Sequence, residues 1–264
     1  YQPVVRLETT EIVGFEALLR WRHPTLGQIE PDRFIPIAEE TGLIIQIGKW
    51  VLQEACTTLA EWHRAHPEHH RLSMAVNVSA RQLAAPDLVA DVVAVLATSG
   101  LDPSTLILEM TETSLVQDAV VAAKRLHQLS TLGVRLAIDD FGTGYSSLNY
   151  LRALPVDVLK IDRAFAQTEN GQTDTVLLEA IVRLGHSLGI DMIAEGIEHA
   201  EQAVTLRRLG CRRAQGFFFH RPLSVSEIPL VVAGVARPVT DTAPPRIAPT
   251  PPRISPTPPR ISPT

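Results

Sequence analysis

Residues Leu136 to Leu148 read LAIDDFGTGYSSL, a short apolar run that ends in two adjacent aspartates and then enters a loop with two glycines. Successive side chains of a strand point to opposite faces, so neighbouring carboxylates normally diverge. They can converge where the strand stops and the backbone turns. Two carboxylates about 4 Å apart repel by roughly 4 kcal/mol if the effective dielectric is near 20. We therefore expect a cation between Asp139 and Asp140.

Short apolar runs of this kind alternate along the chain with longer segments of helical period. The apolar runs cover residues 12–21, 71–79, 105–112, 134–141, 156–162, 190–198 and 212–219, and the amphipathic segments cover 47–62, 83–99, 119–132, 173–188 and 200–209. Glycines that can cap a helix C-terminus follow several segments, at Gly100, Gly133, Gly189 and Gly210. About seven or eight such repeats predict an α/β fold with a closed barrel, in preference to an open doubly wound sheet.

Each apolar run ends in polar side chains, which are costly to bury. They are Glu16, Asn77, Glu109, Asp139, Asp140, Lys160, Glu195 and Gln215. A single one of them would usually be a helix cap or a solvated group. A barrel, however, brings the ends of its strands together at one face, where such folds place their active sites. Carboxylate and amide oxygens are the ligands that Mg²⁺ and Mn²⁺ prefer, so we predict two divalent cations with a lysine beside them.

The composition and charge of the chain argue against several classes of protein. The formal net charge of −5 gives no basic footprint for a nucleic-acid polymer. The two cysteines, Cys56 and Cys211, are too few for a disulfide framework and predict buried thiols in a reducing, cytoplasmic compartment. No apolar run approaches the roughly 20 residues of a membrane span, so we expect no membrane contact from this segment. The chain begins inside a strand-like run, YQPVVRL, so we expect a truncated start and a longer parent protein whose N-terminal region could carry a membrane anchor.

The C-terminal end has a different composition. From Ala243 it reads APPRIAPTPPRISPTPPRISPT, a seven-residue unit that is repeated with little change. Such a segment cannot bury enough apolar surface to offset the cost of ordering it. We therefore predict a folded domain over residues 1–236 and a disordered or polyproline-like tail over 237–264, which acts as a spacer or, alternatively, as a PxxP ligand.

Two other motifs fit less well. His63, His66, His69 and His70 have ligand-like spacing, but they flank Pro67 in a polar connection between a helix and a strand, and we favour a connecting role. The glycines of FGTGYSS suggest a dinucleotide loop, yet Ser147 stands where the third glycine is needed, so that fingerprint fails.

The ordered motifs together resemble the EAL domain, the cyclic-di-GMP phosphodiesterase family of bacterial signalling proteins. The resemblance covers Tyr1 to about Leu223. Its motifs are YQP (1–3), EALLRW (16–21), FIPIAEETGLI (34–44), NVS (77–79), LEMTE (108–112), DDFGTGYSSL (139–148), LKID (159–162), AEGIE (194–198) and QGFFF (215–219).

The resemblance implies a TIM-like β/α barrel whose first strand is antiparallel to the others. It also implies site roles. Two divalent cations would be bound by Glu16, Asn77, Glu109, Asp139, Asp140 and Glu195, with Asp139 bridging them. Lys160 would lie beside the attacking water, Glu198 and Gln215 would complete the site, and Gln2 and Arg20 would hold the substrate. Glu112 would anchor a regulatory loop formed by Phe141, Gly142, Thr143, Gly144, Tyr145, Ser146 and Ser147.

The expected reaction is metal-dependent opening of cyclic-di-GMP to linear pGpG, in which Glu195 helps to deprotonate the water while Lys160 orients it and Glu16 holds metal. The resemblance also implies a homodimer and an N-terminal sensor or GGDEF domain in the parent protein. Two alternatives stay open. One is a silent receptor that binds cyclic-di-GMP without turnover. The other is a different metal-dependent barrel enzyme that acts on another phosphoester or on a carboxylate.

Overall fold

The computed structural model describes residues 1–116, 118–142, 148–166 and 175–232. The predicted tail therefore lies outside the described residues. The described strands are β1 (Gln2–Arg6), β2 (Ile12–Ala17), β3 (Trp21–His23), β4 (Gly27–Ile29), β5 (Ser73–Asn77), β6 (Leu106–Thr111), β7 (Arg135–Phe141), β8 (Val158–Ile161), β9 (Asp191–Ala194) and β10 (Arg213–Ala214). All except β3 and β4 form one closed barrel, in the order β1-β10-β9-β8-β7-β6-β5-β2. The predicted barrel is confirmed.

Strand β1 is antiparallel to both of its neighbours, β2 and β10, whereas the other pairs in the barrel are parallel. A tight connection over residues 7–11 explains this, because two strands joined so closely can only run in opposite directions. The backbone turns at Thr10, which has a positive φ of 58°. The predicted antiparallel first strand is thus confirmed, and it brings the start of β1 to the end of the barrel where the parallel strands finish.

The helices surround this barrel. They are α1 (Pro31–Thr41), α2 (Leu43–Ala65), α3 (Ala80–Ala84), α4 (Leu88–Ser99), α5 (Glu112–Val116), α6 (Ala119–Thr131), α7 (Leu148–Ala153), α8 (Arg163–Ala166), α9 (Thr175–Leu188), α10 (Ala200–Leu209) and α11 (Ile228–Val232). Gly100 and Gly210 end α4 and α10 in the left-handed conformation, as predicted. None of the described helices has both the length and the apolar character that crossing a bilayer requires.

Three predicted boundaries were wrong. The single helix expected over residues 83–99 is two helices, α3 and α4, because Pro86 lies between them and cannot continue a helix. The run at 12–21 ends as a strand at Ala17, and the chain then forms the hairpin of β3 and β4. The run at 212–219 contributes only the two residues of β10, because the backbone turns at Gly216.

The interior of the barrel is arranged in three layers, because every second residue of a strand points inward. The middle layer is apolar and consists of Val4, Ala75, Ile107, Ala137, Val158 and Ile193, which pack together. The intervening residues, such as Leu136 and Ile138 of β7, belong to the larger core between the barrel and the helices. Side chains two residues further along the strands form the upper layer, at the end where the parallel strands finish. Those at the opposite end form the lower layer.

Candidate active site

The upper layer of the barrel is made almost entirely of polar side chains. Six strands supply Gln2, Glu16, Asn77, Glu109, Asp139 and Lys160, while Glu195 follows directly after β9 and Gln215 directly after β10. Most of these groups are buried: Glu109 and Lys160 are each 1% exposed, and Gln215 is 5% exposed. The structure therefore brings together the polar strand ends that the sequence singled out, at the face where barrels place their sites.

Lys160 is the charged centre of this layer. Its Nζ lies 2.6 Å from Glu195 Oε1 and 2.7 Å from Glu109 Oε2. Two further carboxylates are close, Asp139 Oδ1 at 3.3 Å and Glu16 Oε2 at 3.5 Å. Four carboxylates thus face one ammonium group. The resulting excess of negative charge is the main electrostatic feature of the site.

Glu16 is held by two amides as well as by the lysine. Asn77 Nδ2 donates to Glu16 Oε1 at 2.7 Å, and Gln215 Nε2 donates to Glu16 Oε2 at 2.6 Å. Gln215 also donates to Gln2 Oε1 at 3.1 Å, which connects the antiparallel strand to the cluster. The side-chain oxygen of Gln215, Oε1, is buried and has no hydrogen-bond partner among the described residues. It is an acceptor at the edge of the site.

The two adjacent aspartates converge through a change in the backbone of β7. The sequence predicted that the strand ends at the two aspartates, but β7 continues to Phe141. Its pairing with β8 shifts between Ile138 and Phe141. Asp140 has a φ of 53°, which is rare for a residue other than glycine and most accessible to Asn and Asp. Oxygens of Asp139, Asp140 and Glu195 consequently lie within 4.8 Å of one another.

The pKa values of the carboxyl groups show how unfavourable this charge is without a cation. Burial, opposed by Lys160, raises the pKa of Glu109 well above its usual range. Burial, together with the charges of Asp139 and Glu16, raises the pKa of Glu195 to about 7. Glu16 is the exception, because Lys160 and its two amide donors outweigh burial and lower its pKa.

Asp140 is similarly destabilised as an anion. Burial and the neighbouring Asp139 raise its pKa to about 6, and a hydrogen bond with the side chain of Asp162 contributes. Asp162 was not among the predicted site residues. It stands in the quoted motif LKID, two residues after Lys160, and an acidic residue directly after a buried strand was the signal that could have identified it.

The residues present fit a divalent cation. The donor set consists of carboxylate oxygens with one amide, which is the set that Mg²⁺ and Mn²⁺ prefer. The surplus of carboxylates over Lys160, and the raised pKa values of Asp140 and Glu195, show that further positive charge would stabilise the ionised site.

The predicted regulatory loop is described only at its start. Phe141 is buried at the end of β7, and the backbone N–H of Gly142 donates to Glu112 Oε2 at 3.4 Å. This contact places Glu112 beside Gly142, and the anchoring role of Glu112 stays a prediction. The other predicted loop residues, Thr143, Gly144, Tyr145, Ser146 and Ser147, lie outside the described residues.

Two predicted substrate residues are exposed, unlike most of the cluster. Arg20 is exposed after β2 and lines a cavity of about 510 Å³ with Tyr1, Trp50 and Leu223. Glu198 is exposed after β9, and its backbone N–H donates to Gln202 Oε1. These positions are accessible from solvent, whereas Gln2 is buried beside Gln215.

Comparison with known proteins assigns a family to this architecture. The family model described as EAL domain matches residues 1–222. A protein of Pseudomonas aeruginosa, the bifunctional diguanylate cyclase/cyclic di-GMP phosphodiesterase MucR, is 46% identical over 234 residues, which is 88% of this chain and 34% of MucR. The chain spans about a third of the length of the curated relatives that it matches.

Solved structures show the same fold. The MucR phosphodiesterase in complex with c-di-GMP is 46% identical, has a TM-score of 0.82, and the match covers 86% of this chain and 92% of that chain. The EAL enzyme Bd1971, in a form with cAMP and cyclic-di-GMP bound, is 36% identical with a TM-score of 0.83, and the match covers 88% of this chain and 63% of that chain.

Proposed function

This chain belongs to the EAL domain family, and we propose that it hydrolyses cyclic-di-GMP to linear pGpG at the upper end of the barrel. The observation that carries the proposal is the ring of buried and partly buried carboxylates around Lys160. The relatives support the substrate, because MucR is called a cyclic di-GMP phosphodiesterase and was solved in complex with c-di-GMP.

The proposal includes two divalent cations, Mg²⁺ or Mn²⁺. Glu16, Asn77, Glu109, Asp139, Asp140 and Glu195 would hold them. When bound, such cations acidify a water molecule and neutralise the phosphoryl oxygens. The acidic trio of Asp139, Asp140 and Glu195 supports one group of ligands. Glu16, which accepts hydrogen bonds from Asn77 and Gln215, supports a further ligand.

The chain's own residues would contribute positioning and proton transfer. Lys160 is held by carboxylates on several strands, so its ammonium group can orient the attacking water and offset negative charge on the phosphoryl group. Glu195 would accept a proton from that water. Attack of the water oxygen on one phosphorus then breaks one P–O3′ bond, and the departing 3′ oxygen takes up a proton. The single linear product carries one 5′-phosphate and one free 3′-hydroxyl, as in pGpG.

The substrate contacts are part of the same proposal. Gln2 and Gln215 form the edge of the ring, where the unpartnered Gln215 Oε1 can accept a hydrogen bond from a ligand. Arg20 and Glu198 are exposed and accessible to the outer parts of a dinucleotide. Arg20 would face phosphate, since a guanidinium group binds phosphate in a bidentate manner.

The wider arrangement also remains a proposal. We propose that residues 1–236 act as the enzymatic domain, that residues 237–264 act as a spacer, and that the domain functions as a homodimer. An N-terminal GGDEF or sensor domain in the parent protein is supported by the name of MucR, a bifunctional diguanylate cyclase.

The test is hydrolysis of cyclic-di-GMP by the purified chain with Mg²⁺ or Mn²⁺, with separation of the products by chromatography. We expect pGpG from the wild type and a loss of about a hundredfold or more for Glu16→Gln. The matched control is Glu179→Gln, on α9, whose side chain is 44% exposed and pairs with Arg183. Control activity should equal that of the wild type.

Binding of cyclic-di-GMP, measured in parallel, separates the alternatives. If the wild type binds the dinucleotide but neither metal produces pGpG, the chain is a receptor and the proposal is wrong. If unrelated phosphodiesters are hydrolysed as fast as cyclic-di-GMP, the site belongs to a different metal-dependent phosphoesterase.

A further inference from the structure

The lower layer of the barrel carries charge of the opposite sign to the upper layer. Arg6, Arg135 and Arg213 occupy inward positions at the lower ends of β1, β7 and β10, and Asp191 begins β9. All four lie on the side of the apolar middle layer that is opposite to the upper layer. Arg6, Arg135 and Asp191 are two residues from the middle-layer residues of their own strands, which are Val4, Ala137 and Ile193. Arg212 directly precedes β10. We call Arg6, Arg135, Arg212, Arg213 and Asp191 the basic floor.

The arginines of the basic floor share few acceptors. Arg135 Nη2 and Arg213 Nη2 each lie 3.2 Å from the same atom, Asp191 Oδ2. Arg6 is paired more loosely, with its Nε 3.7 Å from Glu11 Oε2. A second nearby carboxylate, that of Asp157, already accepts the backbone N–H of Leu136 at 2.8 Å. Since each guanidinium carries five N–H donors, the cluster offers more donors than its own carboxylates use.

The geometry of these side chains is also restricted. Arg135 and Arg213 are only 24% and 28% exposed, so their guanidinium groups are held against the mouth of the barrel while still reaching solvent. Strand pairing fixes their positions, because Arg6 is directly opposite Arg213. The pKa of Arg213 is lowered mainly by burial, and the charge of Asp191 opposes this effect. The positive charges of Arg135, Arg6 and Arg212 lower the pKa further, so the arginines repel one another.

We propose that the basic floor binds a multivalent oxyanion of the phosphate class, at the end of the barrel opposite the acidic ring. Guanidinium groups that converge from different strands match the several oxygens of a phosphate group through charge-assisted hydrogen bonds. The bound anion would replace the repulsion among the arginines with attraction. Inorganic phosphate and the terminal phosphate of a nucleotide share this chemistry.

The alternative is that the cluster only closes the bottom of the barrel, a face where charged networks commonly serve stability. The two roles differ in what they predict for Asp191. If an anion binds, Asp191 competes with it for the same N–H donors, and Asp191→Asn should strengthen binding. If the cluster is purely structural, removing Asp191 should cost stability without creating any affinity for anions.

The experiment is calorimetric titration of the full chain with inorganic phosphate in EDTA, so that no metal holds phosphate at the upper end. Chloride at equal ionic strength is the reference. We expect saturable binding by the wild type, weakening of about tenfold or more in Arg135→Gln/Arg213→Gln, and tighter binding in Asp191→Asn. Arg183→Gln, which removes an arginine that is 77% exposed on α9, should leave binding unchanged.

A second titration uses GMP. Binding of GMP would show that the basic floor accepts nucleotide phosphates as well, and no binding of GMP would show that it accepts free phosphate alone. If the double variant does not fold, Arg6→Gln provides the test, because Arg6 is half exposed and should tolerate the change while weakening binding about threefold or more. No saturable binding by the wild type, undiminished binding in the double variant, or weaker binding in Asp191→Asn would each overturn the proposal.

Discussion

The ammonium group of Lys160 lies 2.7 Å from the carboxylate of Glu109, and both side chains are at most 2% exposed. Such a pair is costly to form, and removing one partner is costlier, because the other charge stays buried. The burial of Lys160 would normally lower its pKa, but the surrounding carboxylates raise it well above the usual range. Lys160 is therefore a charged residue on which the metal-free fold depends.

We predict that Lys160→Met destabilises the metal-free protein by about 3–5 kcal/mol, because it leaves several carboxylates without a cation. Urea denaturation in EDTA measures the change. Glu109→Gln is the matched comparison, since it removes one negative charge and keeps a hydrogen-bonding group of the same shape, and it should cost less. Equal stability of Lys160→Met and the wild type would show that the carboxylates are neutral in the native state.

We predict that Mg²⁺ or Mn²⁺ raises the melting temperature and that EDTA reverses the effect. A ligand that binds only the folded state stabilises by about 2.7 kcal/mol at a hundred times its dissociation constant. The shift should shrink strongly in Asp139→Asn, whose carboxylate is shared between Lys160 and the acidic trio. It should persist in the exposed variant Glu179→Gln. An undiminished shift in Asp139→Asn would place the metal elsewhere.

We predict that Asp140→Asn stabilises the metal-free protein by about 1 kcal/mol near pH 8 while abolishing hydrolysis. The pKa of Asp140 is about 6 in the folded state, above the ordinary value of 3.8. Ionisation therefore costs native stability as the pH rises from about 4 to about 6, and the cost persists above that range. The variant should be no more stable than the wild type near pH 3, because Asp140 is then protonated and uncharged in both the folded and the unfolded wild type.

The positive φ of Asp140 provides a control for this prediction. Asparagine accepts the positive φ of Asp140, whereas a β-branched residue does not. Asp140→Val should therefore be destabilising at every pH, although it removes the same charge. Chemical denaturation at pH 3 and pH 8 distinguishes the two effects. A stabilising Asp140→Val would mean that the strand pairing, rather than the backbone angle, holds this residue.

We predict that Gly216→Ala disrupts the site from a position outside it. An added Cβ would lie 2.2 Å from the carbonyl oxygen of Ile197, which is backbone and cannot move aside cheaply. The cost should be about 1–3 kcal/mol, with reduced turnover, because Gln215 is the adjacent residue. Gly189→Ala is the control: Gly189, unlike Gly216, has a positive φ of 69°, but an added Cβ there meets open space, so this change should cost less and leave turnover unchanged.

The sequence predicted the barrel and the cluster for one physical reason. Buried parallel strands tolerate polar groups only at their ends, so the positions of Glu16, Glu109 and Lys160 followed from where each apolar run finished. Packing across the barrel then determined which groups met. The central position of Lys160, in contact with four carboxylates, could not be derived from spacing alone.

The errors had local causes. The bulge at Asp140 changes the direction of one side chain without any sequence signal beyond the two aspartates themselves. The short hairpin at Trp21–Ile29 was missed because its strands, β3 and β4, are three residues long and are mostly exposed, so no apolar pattern marks them. Asp162 was overlooked because a single acidic residue after a strand has many ordinary explanations.

The reversed direction of β1 affects how signals could enter this domain. In an all-parallel barrel the first strand begins at the bottom, far from the chemistry. Here Gln2 begins β1 beside Gln215 at the upper end, and Tyr1 exchanges backbone hydrogen bonds with Leu223 just beyond it. Any domain joined ahead of Tyr1 would thus be attached at the rim of the upper end, beside the candidate active site. A movement of that domain would displace Gln2 first. Gln2 is hydrogen-bonded to Gln215, and Gln215 is hydrogen-bonded to the Glu16 carboxylate, so only three side chains connect the attachment point to the site.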